Sequence, residues 1–461
     1  MAERVVAIVG GGITGLAAAW ALTKLDDPAA VVIFDADDRL GGKLRTSPFA
    51  GLGAVDEGAD AFLARVPEAL ALCGELGLGD ELVAPATGTA YLWWNGTMHR
   101  LPEGLVLGVP AGLARLAGSD LLSWRGKARA ALEPLLPRRS AVIDDDNLGA
   151  LIRRRFGDEV LERLVDPLIG GINAGDADHL SLAASAPQVA EVAARSRSLL
   201  IGLRRRDAPP TGAAAPVFLT PQRGMGSLVD RLVEALIERG VTFRTGQAVE
   251  RIERQGTSWR VGTLDADAVI VATPAHVAAS QLTAVAPGAS TLIASIEHAS
   301  VAMVTLAFER AAVGRTLDGS GHLVPKPQQR HLTACSWAST KWAHWQRADQ
   351  VVLRASLGRF GRESSAVGSD DELIARALAD LTPALELRGA PSEARVTRWD
   401  KAFPQHTPKH LDRVVAIEAA LATEAPGVVV AGAAYRGVGI PACIRQGAAA
   451  AGTVARRWSI P

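Results

Sequence analysis

Val5-Val6-Ala7-Ile8-Val9-Gly10-Gly11-Gly12-Ile13-Thr14-Gly15 stands near the start of the chain, and Asp35 ends the segment that follows. An uninterrupted apolar run rich in β-branched residues suits a strand covered on both faces. Leu16 to Leu25 has helical composition, and Val31-Val32-Ile33-Phe34 reads as a second buried strand ending at Asp35. A strand, a glycine turn, a helix and a strand capped by an acid form the βαβ unit that binds dinucleotides. The glycines differ in what they make possible. Gly10 allows the tight turn, Gly12 lets backbone approach a pyrophosphate, and Gly15 lets helix and strand pack closely. The free N–H groups at the helix start, with the positive end of its dipole, suit phosphate. Asp35 stands where a carboxylate accepts hydrogen bonds from a ribose.

The rest of the composition narrows the class. With 461 residues, two or three lobes are expected. Hydrophobic residues make up 48% and charged residues 21%, as in ordinary globular proteins. Lysine plus arginine equals aspartate plus glutamate at 49 each, which gives no basic excess for nucleic acid. Cys73, Cys335 and Cys443 are far apart, so neither a disulfide framework nor a zinc site is expected, and a reducing cytoplasm fits. No cleavable export signal and no membrane-spanning run is expected.

Arg39-Leu40-Gly41-Gly42-Lys43-Leu44-Arg45 follows Asp35. Two glycines behind an arginine let backbone pass close to a ligand, with cationic side chains available for phosphate. Val55 to Leu63, with Glu57, Gly58, Ala59 and Asp60, reads either as a bed for a planar ring or as an ordinary turn. Pro67 to Leu78 reads as a helix, and Tyr91 to Pro102 as a hairpin turning at Asn95-Gly96. From about Pro110 to Arg206 the pattern is helical, including Asn147–Phe156 and Glu159–Leu168, and Ala208–Ala213 reads as a connecting loop. Within that lobe, Asp166 to Asp176 is glycine-rich and reads as a break, either lining a cavity or joining helices. Ser227–Arg239 is an expected helix. Val241–Arg244, Ala248–Ile252, Ser258–Val261 and Ala268–Ala272 are expected strands, the last returning to the first sheet. Strands Ala302–Phe308, Leu332–Trp337 and Gln350–Leu357 alternate polar and apolar, helix Asp370–Leu381 interrupts them, and Val396–Trp399 follows. Val428 to Tyr435, the turn Arg436-Gly437-Val438-Gly439-Ile440-Pro441 and a helix from Ala442 to Arg457 repeat the opening pattern.

Taken together these segments resemble the porphyrinogen oxidases of heme biosynthesis, a branch of the FAD-dependent amine-oxidase superfamily. The resemblance spans the chain. It rests on Gly10 to Leu16, Arg39-Leu40-Gly41-Gly42-Lys43, Asp166-Pro167-Leu168 through Gly175-Asp176, Gly224-Met225, and above all Tyr435-Arg436-Gly437-Val438-Gly439-Ile440-Pro441-Ala442-Cys443. In flavoproteins of this type the RxGG turn follows the ribose-binding acid, which moves the expected dinucleotide from NAD to FAD. Asn173 departs from the family, where an aromatic is common.

The resemblance implies an α/β fold: a Rossmann-like FAD-binding domain from segments 1–85, 211–280 and 401–461, an inserted helical substrate domain over 86–210, and a mixed substrate sheet over 281–400. It implies noncovalent FAD, since Ala434 stands where some relatives carry a tethering cysteine. It implies six-electron oxidation of coproporphyrinogen III to coproporphyrin III by molecular oxygen, in three hydride transfers to FAD with release of hydrogen peroxide. Protoporphyrinogen IX is the alternative substrate. By the same resemblance, Gly10, Gly11, Gly12, Ile13, Thr14 and Gly15 take the pyrophosphate, and Asp35 with Ala36 the ribose. Arg39, Gly42 and Lys43 reach phosphate and ring, Glu57 to Asp60 lie along the flavin, and Val249 holds adenine through its backbone. Trp399, Gly437, Val438, Gly439 and Ile440 lie near the isoalloxazine. Arg65, Ile172 and Asn173 are expected at the substrate, Arg65 as a propionate partner or else a plain surface arginine. No catalytic side chain and no metal is expected, because FAD is the hydride acceptor. The resemblance leaves peripheral membrane contact and a transient ferrochelatase contact open.

Two other enzymes and one non-enzyme compete. An amine oxidase calls for an aromatic cage, yet Tyr91 and Tyr435 are the two tyrosines of the chain. A carotenoid desaturase calls for a more apolar channel. An FAD-binding scaffold without activity is the third.

Overall fold

The apolar run Val5–Val9 sits at the centre of a five-stranded parallel sheet. Its neighbours are Ala30–Phe34 on one side and Ala268–Val271 on the other, and Thr242–Arg244 and Val428–Val430 form the edges. The computed structural model describes residues 4–137, 146–206 and 216–459; the loop expected at Ala208–Ala213 lies outside them. Alternation along the central strand divides two cores. Val6 and Ile8 face the helices Ile13–Leu22, Gly226–Glu238 and Ile440–Ser459. Ala7 and Val9 face the helices Ala275–Leu282, Pro287–Ala294 and His410–Glu424, beside a three-stranded sheet of residues 252–266. Leu228, Leu232 and Leu236 repeat every four residues and are fully buried. Each contributes roughly 1.5–3 kcal/mol of burial.

The alternating strands form a second, seven-stranded sheet. Its order is Glu393–Pro404, His298–Glu309, Gln350–Leu357, Leu332–Trp337, Gly321–Leu323, Tyr91–Trp94 and Thr97–Arg100. The hairpin of residues 91–100 thus joins this sheet at its edge, through a parallel pairing with Gly321–Leu323. Positive φ at Asn95 (50°) and Gly96 (79°) makes its tight turn. One face of the sheet carries Leu306, Leu353 and Ala355 against Leu373 and Leu381 of helix Asp370–Leu385. The other face carries Met303, Ser336, Arg354 and Ser356.

Residues 148–206 build most of the helical lobe around Leu151, Ile152, Phe156, Val160 and Leu164. Asn147 caps the helix Leu148–Phe156, its side chain accepting the Ala150 N–H at 2.8 Å. The lobe is pinned to the seven-stranded sheet by a buried two-bond pair, Arg359 Nη1 and Nη2 to the Asp166 carboxylate at 3.0 and 2.8 Å.

Local readings differ from the sequence expectation in several places, among them the unexpected helices Ala275–Leu282 and Pro287–Ala294. The glycine-rich stretch from Asp166 is helical through Asn173 and ends at Ala174, whose φ is 46°. Gly170 lies against the arginine of that pair: a Cβ there would lie 2.9 Å from Arg359 Nη2. Residues 248–251 form no strand, and pairing begins at Ile252. A helix at His410–Glu424 was not anticipated, although Val414, Ile417 and Leu421 are buried at helical spacing.

Candidate functional site

The opening glycine turn closes by backbone contact. Gly10 has φ +107°. A Cβ on Gly15 would stand 1.9 Å from the Gly10 carbonyl oxygen, so the helix start packs on the turn itself. A Cβ on Gly12 would meet no protein atom within 4 Å. Gly12 therefore faces space, and that space is a cavity of about 1010 Å³, at the top of the roughly 300–1,000 Å³ range of ligand sites.

Strand Ala30–Phe34 delivers Asp35 to the rim of this cavity. Its Oδ2 accepts the Gly11 N–H at 2.6 Å and its Oδ1 accepts the Asp37 N–H at 2.9 Å. The carboxylate is thus fixed in orientation by amides, and each oxygen keeps a further lone pair for a ligand hydroxyl. The second glycine turn lies on the first. Gly41 N–H donates to Gly11 O at 2.8 Å, and a Cβ on Gly42 would come within 3.3 Å of Gly12 Cα. Arg39 holds that turn, donating to the carbonyls of Leu40 at 3.0 Å and of Gly42. The Lys43 ammonium donates to Ala402 O, and burial lowers its pKa.

The Glu57–Asp60 turn is held from the seven-stranded sheet. Glu57 accepts the Ser47 and Thr397 hydroxyls at 2.7 and 3.1 Å, and its carbonyl accepts Trp399 Nε1–H at 3.1 Å. Asp60 receives Lys341 Nζ at 2.8 Å, Trp342 Nε1 at 3.0 Å and Arg354 Nη1 at 3.2 Å. Burial opposes its charge, yet the two cations and these hydrogen bonds hold its carboxyl well below the usual range. Asp56 shows the reverse: burial pushes it up to about 6 despite the Thr46 hydroxyl and Met225 N–H that bond it.

The cavity joins residues far apart in sequence. Gly10, Gly12, Ile13, Thr14, Asp35, Ala36 and Arg39 line its end at the five-stranded sheet, with Val249, whose carbonyl accepts Gln281 Nε2 at 2.8 Å. Gly42, Lys43, Gly58, Ala59, Asp60, Trp399, Val438, Gly439 and Ile440 line it toward the second sheet, where Met303, Thr333, Ser336, Arg354 and Ser356 form the far wall. Ile172 lines it from the helical lobe. Gly11, Gly15, Glu57 and Gly437 lie behind the lining and shape it through backbone or carboxylate contacts.

Two expected substrate residues are not brought to the cavity wall. Arg65 is exposed on the turn after Phe62–Leu63. Asn173 is buried, its Nδ2 donating to Ile169 O at 3.1 Å and its carbonyl accepting Gln405 Nε2, also at 3.1 Å. Arg354, Lys341 and His298 were missed. Arg354 did leave a signal, a lone cation inside Val351-Val352-Leu353-Arg354-Ala355. His298 stands edge-on to His276 at 5.1 Å, and burial with the neighbouring charges lowers it to about 4, so it is neutral. Among the described residues no group of three or more His, Cys, Asp or Glu could hold a metal ion.

Residues 13–455 match the family described as flavin containing amine oxidoreductase. The chain belongs to that family. Within it, the chain is 37% identical to coproporphyrinogen III oxidase of Bacillus subtilis (strain 168), over 97% of each chain. It is 30% identical to the protoporphyrinogen oxidase of Macaca fascicularis, over 98% of each. A crystal structure from Exiguobacterium sp. 255-15 superposes with a TM-score of 0.88 at 31% identity, covering 99% of this chain and 100% of that one. Family membership makes the α/β architecture that of a flavin oxidoreductase, with the cavity where its two sheets meet. No described helix is long and apolar enough to cross a membrane.

Proposed function

We propose that this chain is an FAD-dependent oxidase converting coproporphyrinogen III to coproporphyrin III with molecular oxygen. The observation that carries the reading is one continuous cavity running from an amide-and-carboxylate cradle to a polar sheet face. At the cradle end, Gly12 leaves room for a pyrophosphate and the Ile13–Leu22 helix start offers its amides. Asp35 is oriented for a ribose, and Val249 and Gln281 close the nucleotide end. These residues fit FAD. When bound, FAD would supply the acceptor for hydride leaving the macrocycle, with molecular oxygen as the final oxidant.

The chain's own part is binding and orientation. Trp399, fixed by its bond to Glu57 O, and the Gly58–Asp60 turn wall the middle of the cavity. Arg354 and Lys341 converge on the Asp60 carboxylate, so two cationic side chains stand on this wall with the Ser336 and Ser356 hydroxyls. A substrate bearing several carboxylates suits such a wall. Coproporphyrinogen carries four propionates where protoporphyrinogen carries two, and the relatives named coproporphyrinogen III oxidase reach 37% identity. The second reading, protoporphyrinogen IX, draws on the Macaca fascicularis relative. Neutral His298 serves as wall and not as an acid. The three buried, unpaired cysteines suit a reducing cytoplasm. A transient ferrochelatase contact or a peripheral membrane contact is compatible with this assignment.

Anaerobic addition of coproporphyrinogen III to the yellow enzyme should bleach the flavin, and admitted air should restore it with release of peroxide. A flavin that stays oxidised in the presence of substrate would refute the assignment.

A further inference from the structure

His406, in the loop before helix His410–Glu424, and His410, its first residue, are 1% and 0% exposed. Their rings stack, with centroids 4.1 Å apart and planes 19° from parallel. His406 Nε2 stands 3.1 Å from the Ala433 carbonyl oxygen, and His410 Nε2 stands 2.8 Å from that of Tyr435. A carbonyl oxygen only accepts, so both rings carry their proton on Nε2. Neither Nδ1 has a partner, as a neutral ring allows. Burial above all keeps both uncharged, pushing His406 down to about 3 and His410 to about 4.

Ala433 and Ala434 line the cavity, and neither histidine does. A trans peptide sets its C=O and N–H on opposite sides, and no described peptide is cis. Turning the Ala433 carbonyl onto His406 therefore turns the Ala434 N–H toward the cavity side. The same segment reaches the helical lobe. His406 O accepts the Ser181 N–H at 2.6 Å, and Gln405 Nε2 donates to Asn173 O at 3.1 Å, next to cavity-lining Ile172. His406 thus touches both the lobe and the last loop of the nucleotide sheet.

We infer that His406, backed by His410, is a positioning residue that fixes the Ala433–Ala434 peptide so that its N–H faces the bound flavin nucleotide as a donor. This rests on the FAD reading above. His406→Phe keeps the ring volume and the stack but loses the donor. His406→Gln keeps an amide nitrogen at the reach of Nε2. Both chains are freed of FAD, shown to be folded by circular dichroism, and titrated with FAD while the visible spectrum is recorded.

His406→Phe should bind FAD about tenfold more weakly, a difference of about 1.4 kcal/mol, with displaced flavin absorption bands. His406→Gln should stay within about threefold of the parent and keep its spectrum. If His406→Phe does not fold, His406→Asn, too short to reach the carbonyl, takes its place with the same expected loss. A donor-free variant with the parent's affinity and spectrum overturns the inference. A parent chain that binds no FAD overturns the flavin reading along with it, and the two failures are told apart by that control titration.

Discussion

Gly12→Ala and Gly15→Ala change the same opening turn by one methyl each, and they should fail in opposite ways. Gly12 is extended, with φ −72° and ψ 175°, which alanine adopts without strain. Its new Cβ would meet no protein atom within 4 Å. The melting temperature of the flavin-free chain should therefore stay within about 2 °C of the parent. The methyl does occupy the cavity wall where a pyrophosphate must approach the backbone. Losing one charge-assisted amide bond costs about 1.5–3 kcal/mol, or roughly 10- to 150-fold in FAD affinity. At Gly15 the Cβ would sit 1.9 Å from Gly10 O, less than any contact distance, so helix Ile13–Leu22 must withdraw from Val5–Val9. Forced repacking of that kind costs about 1–3 kcal/mol or more, and the flavin-free chain should melt several degrees lower. Differential scanning fluorimetry reads the first quantity, and FAD titration by fluorescence quenching reads the second. Parent-like FAD affinity in Gly12→Ala, or a lower melting temperature than in Gly15→Ala, would refute the assignment of these two glycines.

Asp35→Ala should purify largely without flavin, because the oriented carboxylate is lost; full yellow occupancy would contradict the ribose role. Asp60→Asn leaves buried Arg354 and half-buried Lys341 without their shared carboxylate, and should cost about 3–5 kcal/mol at pH 7, read by urea denaturation. Since the folded pKa of Asp60 is depressed, its contribution is complete above the ordinary carboxyl range and fades as pH falls below it, so the variant and parent should converge in acid. Asp56 is the opposite case: with its folded pKa at about 6, proton uptake favours the fold, and stability is lost as pH rises through that value. Asp56→Asn, which can still accept from Thr46 and Met225, should raise the melting temperature at pH 8 and leave it unchanged at pH 4.

Legibility followed the range of the interactions. The opening βαβ unit was readable because its parts are local: the glycine turn, the helix and Asp35 sit within some thirty residues and carry fixed spacings. Strands Leu332–Trp337 and Gln350–Leu357 were readable because one-sided burial writes alternation into the chain. The stretch Asp166–Asn173 misled, because Gly170 packs against Arg359, a residue 193 positions away from Asp166, and marks no local break. The partners of Asp60 are likewise 281 residues or more distant, and nothing local announces them. Arg65 looked like a carboxylate partner from its type alone, and position in three dimensions sets it on the surface. The helix at His410–Glu424 was missed despite a legible spacing of Val414, Ile417 and Leu421.

The central claim is that one cavity holds FAD and a porphyrinogen rich in carboxylates. Steady-state oxidation of coproporphyrinogen III and protoporphyrinogen IX, followed by porphyrin fluorescence under air, tests it most directly. The polar, cationic sheet wall predicts a kcat/KM for coproporphyrinogen III at least about tenfold higher. An equal or higher value for protoporphyrinogen IX, or no oxidation of either, would contradict it.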